Sequence, residues 1–397
     1  MKVLLAGAGI GGLAAALSLR QAGFEVRIFE RAAEIGEIGA GIQISPNGAR
    51  VLHAMGLESA LDAVAFRPKA VELRLHKSGF VVSRTPLGDE IAARYGAPYY
   101  HIHRGDLHGL LKRAVQSSCG DVIALGREVE SVAQSADGVA VRFNDGGVER
   151  GDVLIGCDGI HSKVREALLG PEKPQFTGSV AWRGVVPAAR LKGVDVRPVV
   201  TSWMAPHSHA VTYFLRRGEL VNFVGVTERT DWASESWVER GDKRDLRADF
   251  DGWHPTVRAI VDAIAEPFRW AIYARDPLPK WCEGRVALLG DACHPMLPFL
   301  AQGAVMAIED GAVLANCLVA GQGDVGAALK RYEQLRLPRT ARVQAGARAQ
   351  GALFNLSGPI ARLSTFGEMS FASRFTPRKV AARRDWLMAY DATRQTA

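Results

Sequence analysis

Three glycines and an acid near the start of the chain have the types and spacing to hold a phosphate. Gly7, Gly9 and Gly12 form the pattern G-x-G-x-x-G within MKVLLAGAGIGGLAAALSL. Glu30 follows roughly twenty residues past that turn. Gly7 permits a tight turn, Gly9 lets backbone approach a pyrophosphate, and Gly12 lets a helix pack closely on a strand. The helix that begins there offers free N–H groups and a partial positive charge to phosphates. Glu30 can accept from a ribose hydroxyl, which favours an adenosine lacking a 2′-phosphate. The ADP half of FAD or NAD therefore suits the site better than NADP.

Further chemistry-bearing residues sit beside strand-like runs. DVLIGCDGIHSKVRE places Asp158-Gly159 between a strand and a helix, and GRVALLGDACHPMLPFLAQGAVMAIED places Gly290-Asp291 before a proline-bounded loop. Arg104 opens a helix in HRGDL. Either dipeptide alone would be an ordinary turn; their occurrence in order after the glycine unit is what gives them meaning. His209 and Tyr213 are an even number of residues apart in HAVTYFL, so on a strand they share one face. A core histidine bonded to backbone is the plain alternative for His209, and His207, of the same parity, is its rival. Arg183 in AWRGVVP could bind a carboxylate, or be an ordinary strand-edge arginine.

These residues need elements to hold them. The opening run could be a secretion signal, but glycines interrupt it where an apolar helix should be strongest. KVLLA, LAAALSLRQAG and FEVRIFE instead read as strand, helix and strand. VELRLH and FVVSRTPL read as strands, HRGDLHGLLKRAVQ as a helix, and VESVAQSADGVAVRFNDGGVERG as hairpins with Asp-Gly and Gly-Gly turns. SVAWRGVVP, PVVTSWM and HAVTYFLRRGELVNFVGV are β-like, and a helical section starts at QGAVMAIEDGAVLANCLVA. The nucleotide-binding part is thus discontinuous: 1–70, 101–175 and 281–330, with a mostly antiparallel sheet from 71–100 and 176–280, and helices over 331–397.

With 397 residues, 48% of them hydrophobic, the chain can bury a large core, and no uninterrupted apolar run is long enough to span a membrane. The five cysteines include no C-x-x-C pair, so reduced thiols in a cytoplasmic protein are expected, with no metal site. Net charge is +7, with arginines gathered in KRYEQLRLPRTARVQAGARAQ and RFTPRKVAARR. These read as solvated helix faces rather than a nucleic-acid surface, and the positive field would help draw in a carboxylate.

Taken in order, these motifs resemble the single-component FAD-dependent aromatic-ring hydroxylases. GEIGAGIQISPNGARVL, HRGDLH, GAVMAIEDG and DWLMAYDA are most similar to the 3-hydroxybenzoate 6-hydroxylase, salicylate hydroxylase and 6-hydroxynicotinate 3-monooxygenase members. The resemblance implies an α/β fold like that of 4-hydroxybenzoate hydroxylase: a Rossmann-like FAD-binding domain, an inserted antiparallel substrate sheet and C-terminal helices. It implies that Asp291 binds the ribityl chain, that Arg104 reaches the flavin, and that Gly303 and Ala304 open a helix facing the flavin O2/N1 edge. It also implies that Val129 offers backbone to adenine, that Arg31 flanks Glu30, and that Asp158 serves FAD together with NAD(P)H. NADH or NADPH is expected to visit as co-substrate, since no second glycine fingerprint exists.

The activity implied is hydroxylation of a phenolic aromatic acid by O2 through a C4a-hydroperoxyflavin. The resemblance makes His209 the base or proton relay for the phenol and Tyr213 substrate-orienting. Gln43 matches the hydroxybenzoate member, whereas Pro298 matches the HPMLP form of the salicylate and hydroxynicotinate members. Phe299 departs from both of these, which place a histidine there. A hydroxypyridine carboxylate such as 6-hydroxynicotinate, or a non-catalytic FAD-binding redox protein, are the alternative readings. Partners are then the aromatic acid, O2 and NAD(P)H, with no nucleic acid and no membrane, and a homodimer is open to it.

Overall fold

The computed structural model describes residues 1–34, 40–229 and 239–395. The GEIG start of one motif, residues 36–39, thus lies outside the described residues. A six-stranded sheet has the spatial order Cys282–Glu283, Val286–Leu288, Val153–Gly156, Lys2–Ala6, Glu25–Glu30, Ile123–Leu125. Every neighbouring pair is parallel except the first. The central strands are apolar on both faces, as a sheet covered on both sides requires. Val129–Gln134, Val139–Phe143 and Val148–Gly151 form the small antiparallel sheet that the turn residues foretold.

The helix Ile10–Gln21 packs against the later helix Gly303–Ala320, and small residues bring them close. A Cβ on Gly311 would lie 2.8 Å from the Ala15 Cα. Gly303–Ala320 is, among the described residues, the one helix long and apolar enough to cross a membrane, but 72% of it is buried in the protein core.

A seven-stranded sheet runs Phe268–Ala274, Gln175–Pro187, Leu220–Glu228, Ser208–Leu215, Val200–Ala205, Ala70–Leu75, Val81–Pro86. It is antiparallel apart from Val200–Ala205 against Ala70–Leu75. Trp182, Trp203 and Phe223 on one face bury against Leu246, Phe250, Val257 and Ile260. Those last residues belong to the helices Lys243–Asp249 and Pro255–Ala263. The sequence had suggested only β-like pieces there, because one helix is mostly charged and the other is β-branched. A two-stranded pairing of Gly41–Ile44 with Tyr100–His103 was likewise unforeseen.

The C-terminal boundary expected at residue 330 falls inside a single helix, Val325–Phe354. That helix inserts Arg336, fully buried, between two carboxylates of Gly303–Ala320: its Nε donates to Asp310 Oδ1 (2.6 Å) and Nη1 to Glu309 Oε2 (2.7 Å). Arg339 Nε also donates to Glu309 Oε2 (2.7 Å). Asn47 Nδ2 donates to Glu309 Oε1 (2.7 Å), and His294 Nε2 pairs with Asp310 Oδ2 (2.6 Å). Cys293, His294 and Asp310 are close enough to hold a metal ion, but Asp310 is already committed to Arg336 and His294. The tail closes over this cluster. The Tyr390 ring centroid lies 3.7 Å from the Arg339 guanidinium, and Arg50 donates to the Met388 (2.8 Å) and Tyr390 carbonyls.

Burial alone would push the Asp310 carboxyl up, yet His294 and Arg336 hold it below the usual carboxylate range. Its contribution to stability is therefore present above the unfolded carboxyl value and is lost as pH falls through the folded one. We predict that Arg336→Met, which leaves two buried carboxylates without their shared cation, destabilises the protein by about 3–5 kcal/mol. Urea unfolding at neutral pH checks this; a shift below about 1 kcal/mol would show the cluster to be energetically idle.

Candidate active site

The glycine turn is packed where packing is needed and open where a ligand would need space. Gly7 has φ +109°, and a Cβ there would lie 2.4 Å from the Cys157 carbonyl oxygen. A Cβ on Gly12 would lie 2.0 Å from the Gly7 oxygen, whereas one on Gly9 would meet nothing within 4 Å. The helix that follows has no side-chain cap, so its first N–H groups are available to an anion. Glu30 accepts from the Ala8 N–H (2.8 Å) and the Ala32 N–H (3.0 Å), which aims its carboxylate at the turn. Arg31 beside it is exposed, and Val129 is buried at the head of the small sheet.

The Asp158 carboxylate is engaged within the protein. Both Asp158 oxygens are used at the start of helix Lys163–Leu169: Ser162 Oγ donates to one, and the Lys163 (2.7 Å) and Val164 (3.2 Å) N–H groups donate to the other. The carboxylate thus caps that helix, and the Asp158 backbone packs against Gly7, whose Cβ would lie 3.1 Å from the Asp158 Cα.

Asp291 stands on the turn Gly290–Ala292. Protein surrounds it and burial pushes its carboxyl up, opposed by His294 and Arg104, yet the side chain itself is exposed on the cleft side. A Cβ on Gly303 would lie 3.9 Å from Asp291 Oδ1, so Gly303 and Ala304 begin their helix beside this acid. The helix has no side-chain cap, because the Gln302 amide is taken by Ser45 (3.0 Å) and Asn47 (3.2 Å). Arg104 is exposed at the head of Arg104–Cys119, near enough to Asp291 to lower its carboxyl. An open glycine turn, an uncapped helix end and a cleft-facing acid are a donor set that fits the pyrophosphate, ring edge and ribityl hydroxyls of FAD.

The face of the large sheet away from Trp182 carries the other candidates. Cross-strand register puts Arg183 opposite Val224 and Val224 opposite Val211, which lies between His209 and Tyr213 on their face. The Arg183 guanidinium lies over the Phe268 and Trp270 rings, 5.5 and 5.3 Å from their centroids. Its strand is paired on both sides, so Arg183 is not an edge arginine. Tyr213 packs on His101 with ring centroids 4.6 Å apart, and Gly41 leaves room for its hydroxyl, which a Cβ would approach to 2.5 Å. Tyr99 donates to Gln43 Oε1 (2.7 Å), bringing Gln43 to the same end of the site. Burial pushes the Tyr99 hydroxyl up to about 12 and that of Tyr213 higher, so both stay donors at neutral pH.

His209 is buried with its ring between Phe299 and Phe354, at centroid distances of 5.2 and 5.0 Å. Burial, partly opposed by a hydrogen bond to Asn355, lowers it to about 4, so at neutral pH the imidazole is uncharged. His207 does not share its face. It sits in the turn before the strand at φ 57°, exposed, with Nδ1 2.6 Å from Glu228 Oε2. Pro298 is exposed and Phe299 alone of that pair reaches His209. Sequence reasoning passed over Asn355 and Glu228, which contact His209 and His207 from distant segments, and Asn222, whose Oδ1 accepts from the Gly41 N–H (2.9 Å). No local pattern announces them.

Comparison with known proteins places the family. Residues 1–347 match the FAD binding domain family. The chain is 41% identical over 363 residues to a 3-amino-4-hydroxybenzoate 2-monooxygenase of Streptomyces platensis, covering 91% of each. It is 42% identical over 351 residues to the 6-hydroxynicotinate 3-monooxygenase of Pseudomonas fluorescens, covering 86% of this chain and 89% of that one. The solved structure of Klebsiella pneumoniae HpxO with FAD and uric acid superposes with a TM-score of 0.85 at 27% identity, covering 98% of this chain and 96% of that one.

Asp291→Ala is predicted to weaken FAD binding by about one to two decades, the loss of a hydrogen bond that the bound cofactor would bury being on the order of 1–3 kcal/mol. Titration of the apoprotein with FAD, followed by flavin fluorescence, reads this directly. Unchanged affinity would mean that Asp291 does not hold the cofactor.

Proposed function

The chain belongs to the FAD binding domain family of flavoprotein aromatic hydroxylases, and on that premise we propose that it hydroxylates a phenolic aromatic carboxylate of the hydroxybenzoate type, using NAD(P)H and O2. The observation that carries this reading is the shared sheet face, where a buried arginine stacked on aromatic rings lies across from a buried neutral histidine and a tyrosine.

When bound, FAD supplies the electrons and the activated oxygen that no side chain can provide. The residues of this chain then have to make the ring reactive and keep the site dry. An aromatic ring is a weak nucleophile until its phenol loses a proton, which raises electron density at the ortho and para carbons. His209, neutral and buried, takes that proton. Arg183 is the group suited to the substrate carboxylate, its guanidinium held flat by Phe268 and Trp270. Tyr213, with Gln43 and Tyr99 beside it, offers hydroxyl and amide groups to orient the ring. Phe299, Leu297 and Val226 form an apolar wall near His209 that keeps water away from the activated oxygen.

The identity to the 6-hydroxynicotinate enzyme supports a second reading, a hydroxypyridine carboxylate in the same pocket. Phe299 supports the benzoate, because an all-carbon ring at His209 gives a pyridine nitrogen no partner. Screening hydroxybenzoates, aminohydroxybenzoates and hydroxypyridine carboxylates for stimulated NAD(P)H oxidation, with product identification, tests the proposal. Turnover confined to pyridines would overturn the benzoate reading.

His209→Ala should retain FAD and its reduction by NAD(P)H while losing about a hundred- to ten-thousand-fold in hydroxylation, the range for removing a general base. Hydrogen peroxide should replace the hydroxylated product, with partial rescue at high pH. A variant of undiminished coupling would make His209 a core residue. Since burial lowers His209 to about 4, the acid limb that it contributes to hydroxylation is expected near that pH in the free enzyme. A limb that persists unchanged in His209→Ala would contradict the assignment.

A further inference from the structure

A buried imidazole can act as a base only through the nitrogen that carries no hydrogen, so something must decide which nitrogen that is. In this protein the deciding group is a side-chain amide from the end of the long helix. His209 Nδ1 lies 2.7 Å from Asn355 Oδ1, and Asn355 Nδ2 donates to Glu228 Oε1 (3.2 Å). The other Glu228 oxygen meets His207 Nδ1 at 2.6 Å, and the His207 N–H donates to the Asn355 backbone carbonyl (3.1 Å). Asn355 caps helix Val325–Phe354, whereas His207 lies in the turn between Val200–Ala205 and Ser208–Leu215, and Glu228 ends the neighbouring strand. The contact therefore joins two separately anchored elements.

Donor and acceptor chemistry fixes the direction of this chain. A carboxylate only accepts, so Asn355 must turn its NH2 end to Glu228, and its carbonyl end then faces His209. A carbonyl also only accepts, so His209 Nδ1 must carry the hydrogen and donate it. The lone pair is left on Nε2. We propose that Asn355, oriented by Glu228, is a positioning residue that holds His209 in the Nδ1–H tautomer and so presents Nε2 as the base. An amide does not readily pass a proton on, so the contact is a lock on the tautomer and not a path for the proton. The inference rests on the reading of His209 as base under Proposed function, but the tautomer can be observed without turnover.

The test uses the FAD-loaded enzyme labelled with 15N-histidine, and the His209 ring nitrogens are read by long-range 1H–15N correlation, assigned by loss of the signals in His209→Ala. The wild type is expected to show a protonated Nδ1 and an unprotonated Nε2. Asn355→Leu removes the acceptor and should move His209 to the Nε2–H form or a mixture. Product formed per NAD(P)H consumed should then drop by about tenfold or more, within the range set by losing a general base. Asn355→Asp, which keeps an acceptor at Nδ1, should restore both the tautomer and the coupling. Glu228→Ala, at a side chain 43% exposed and so less dependent on folding, should free the amide to turn and give a mixture.

An Nδ1–H signal that persists in Asn355→Leu and Glu228→Ala, in proteins that keep their flavin spectrum, overturns the proposal. If the tautomer moves while coupling does not, the lock stands and the reading of His209 as base fails.

Discussion

The arrangement depends on one buried guanidinium. Taking Arg336, Glu309 and Asp310 out of water is costly, and a core of hydrocarbon would often be at least as stable. What such a cluster provides is direction, because each oxygen and each N–H accepts only one arrangement of neighbours. Asp310 Oδ2 receives the Gly290 N–H (3.1 Å) as well as His294, so the turn that carries Asp291 is set by the same carboxylate that faces Arg336. Glu309 receives Asn47, and Asn47 meets Gln302 at the head of the helix beside Asp291. One cation thus fixes, through single hydrogen bonds, both the acid and the uncapped helix end that would face a flavin.

The sheet face proposed for the substrate is positioned from the long helix that carries Arg336. Val325–Phe354 carries Arg336 near its middle and reaches the large sheet at its end, where Phe354 packs on His209 and Asn355 bonds to it. Between these points Gly351 leaves room for Phe299, whose ring a Cβ would approach to 2.5 Å, and Gln344 donates to the Pro295 carbonyl (2.9 Å). The helix therefore links the Arg336 cluster beside Asp291 to the His209 end of the large sheet.

What could be read from the sequence follows from how local each feature is. The glycine turn, its helix and Glu30 are a contiguous unit whose sterics are written in adjacent residues. The hairpins and the even spacing of His209 and Tyr213 are likewise local. Arg183 could not be placed at an edge or a centre, because strand order is set by pairing between distant segments. Asp158 carried a motif that has two uses, and only its distances to Lys163 and Val164 showed the capping one. His207 obeyed parity but belongs to a turn, where parity does not apply. Asn355 had no signature at all: its importance comes from a partner in a separate element.

The tail described above has a consequence in time. Tyr390 covers Arg339, and Arg50 grips the Met388 and Tyr390 carbonyls, so residues far apart along the chain complete one another. The glycine unit, made before Gly303–Ala320, meets Gly311 only after that helix has been made, and the Arg339 guanidinium is covered only once Tyr390 has been made. Contacts of such long range form late, because loop closure must precede the contacts that reward it. The nascent chain therefore carries an incomplete nucleotide-binding half until the segment around Tyr390 has been made, and stable capture of cofactor would follow that segment's docking.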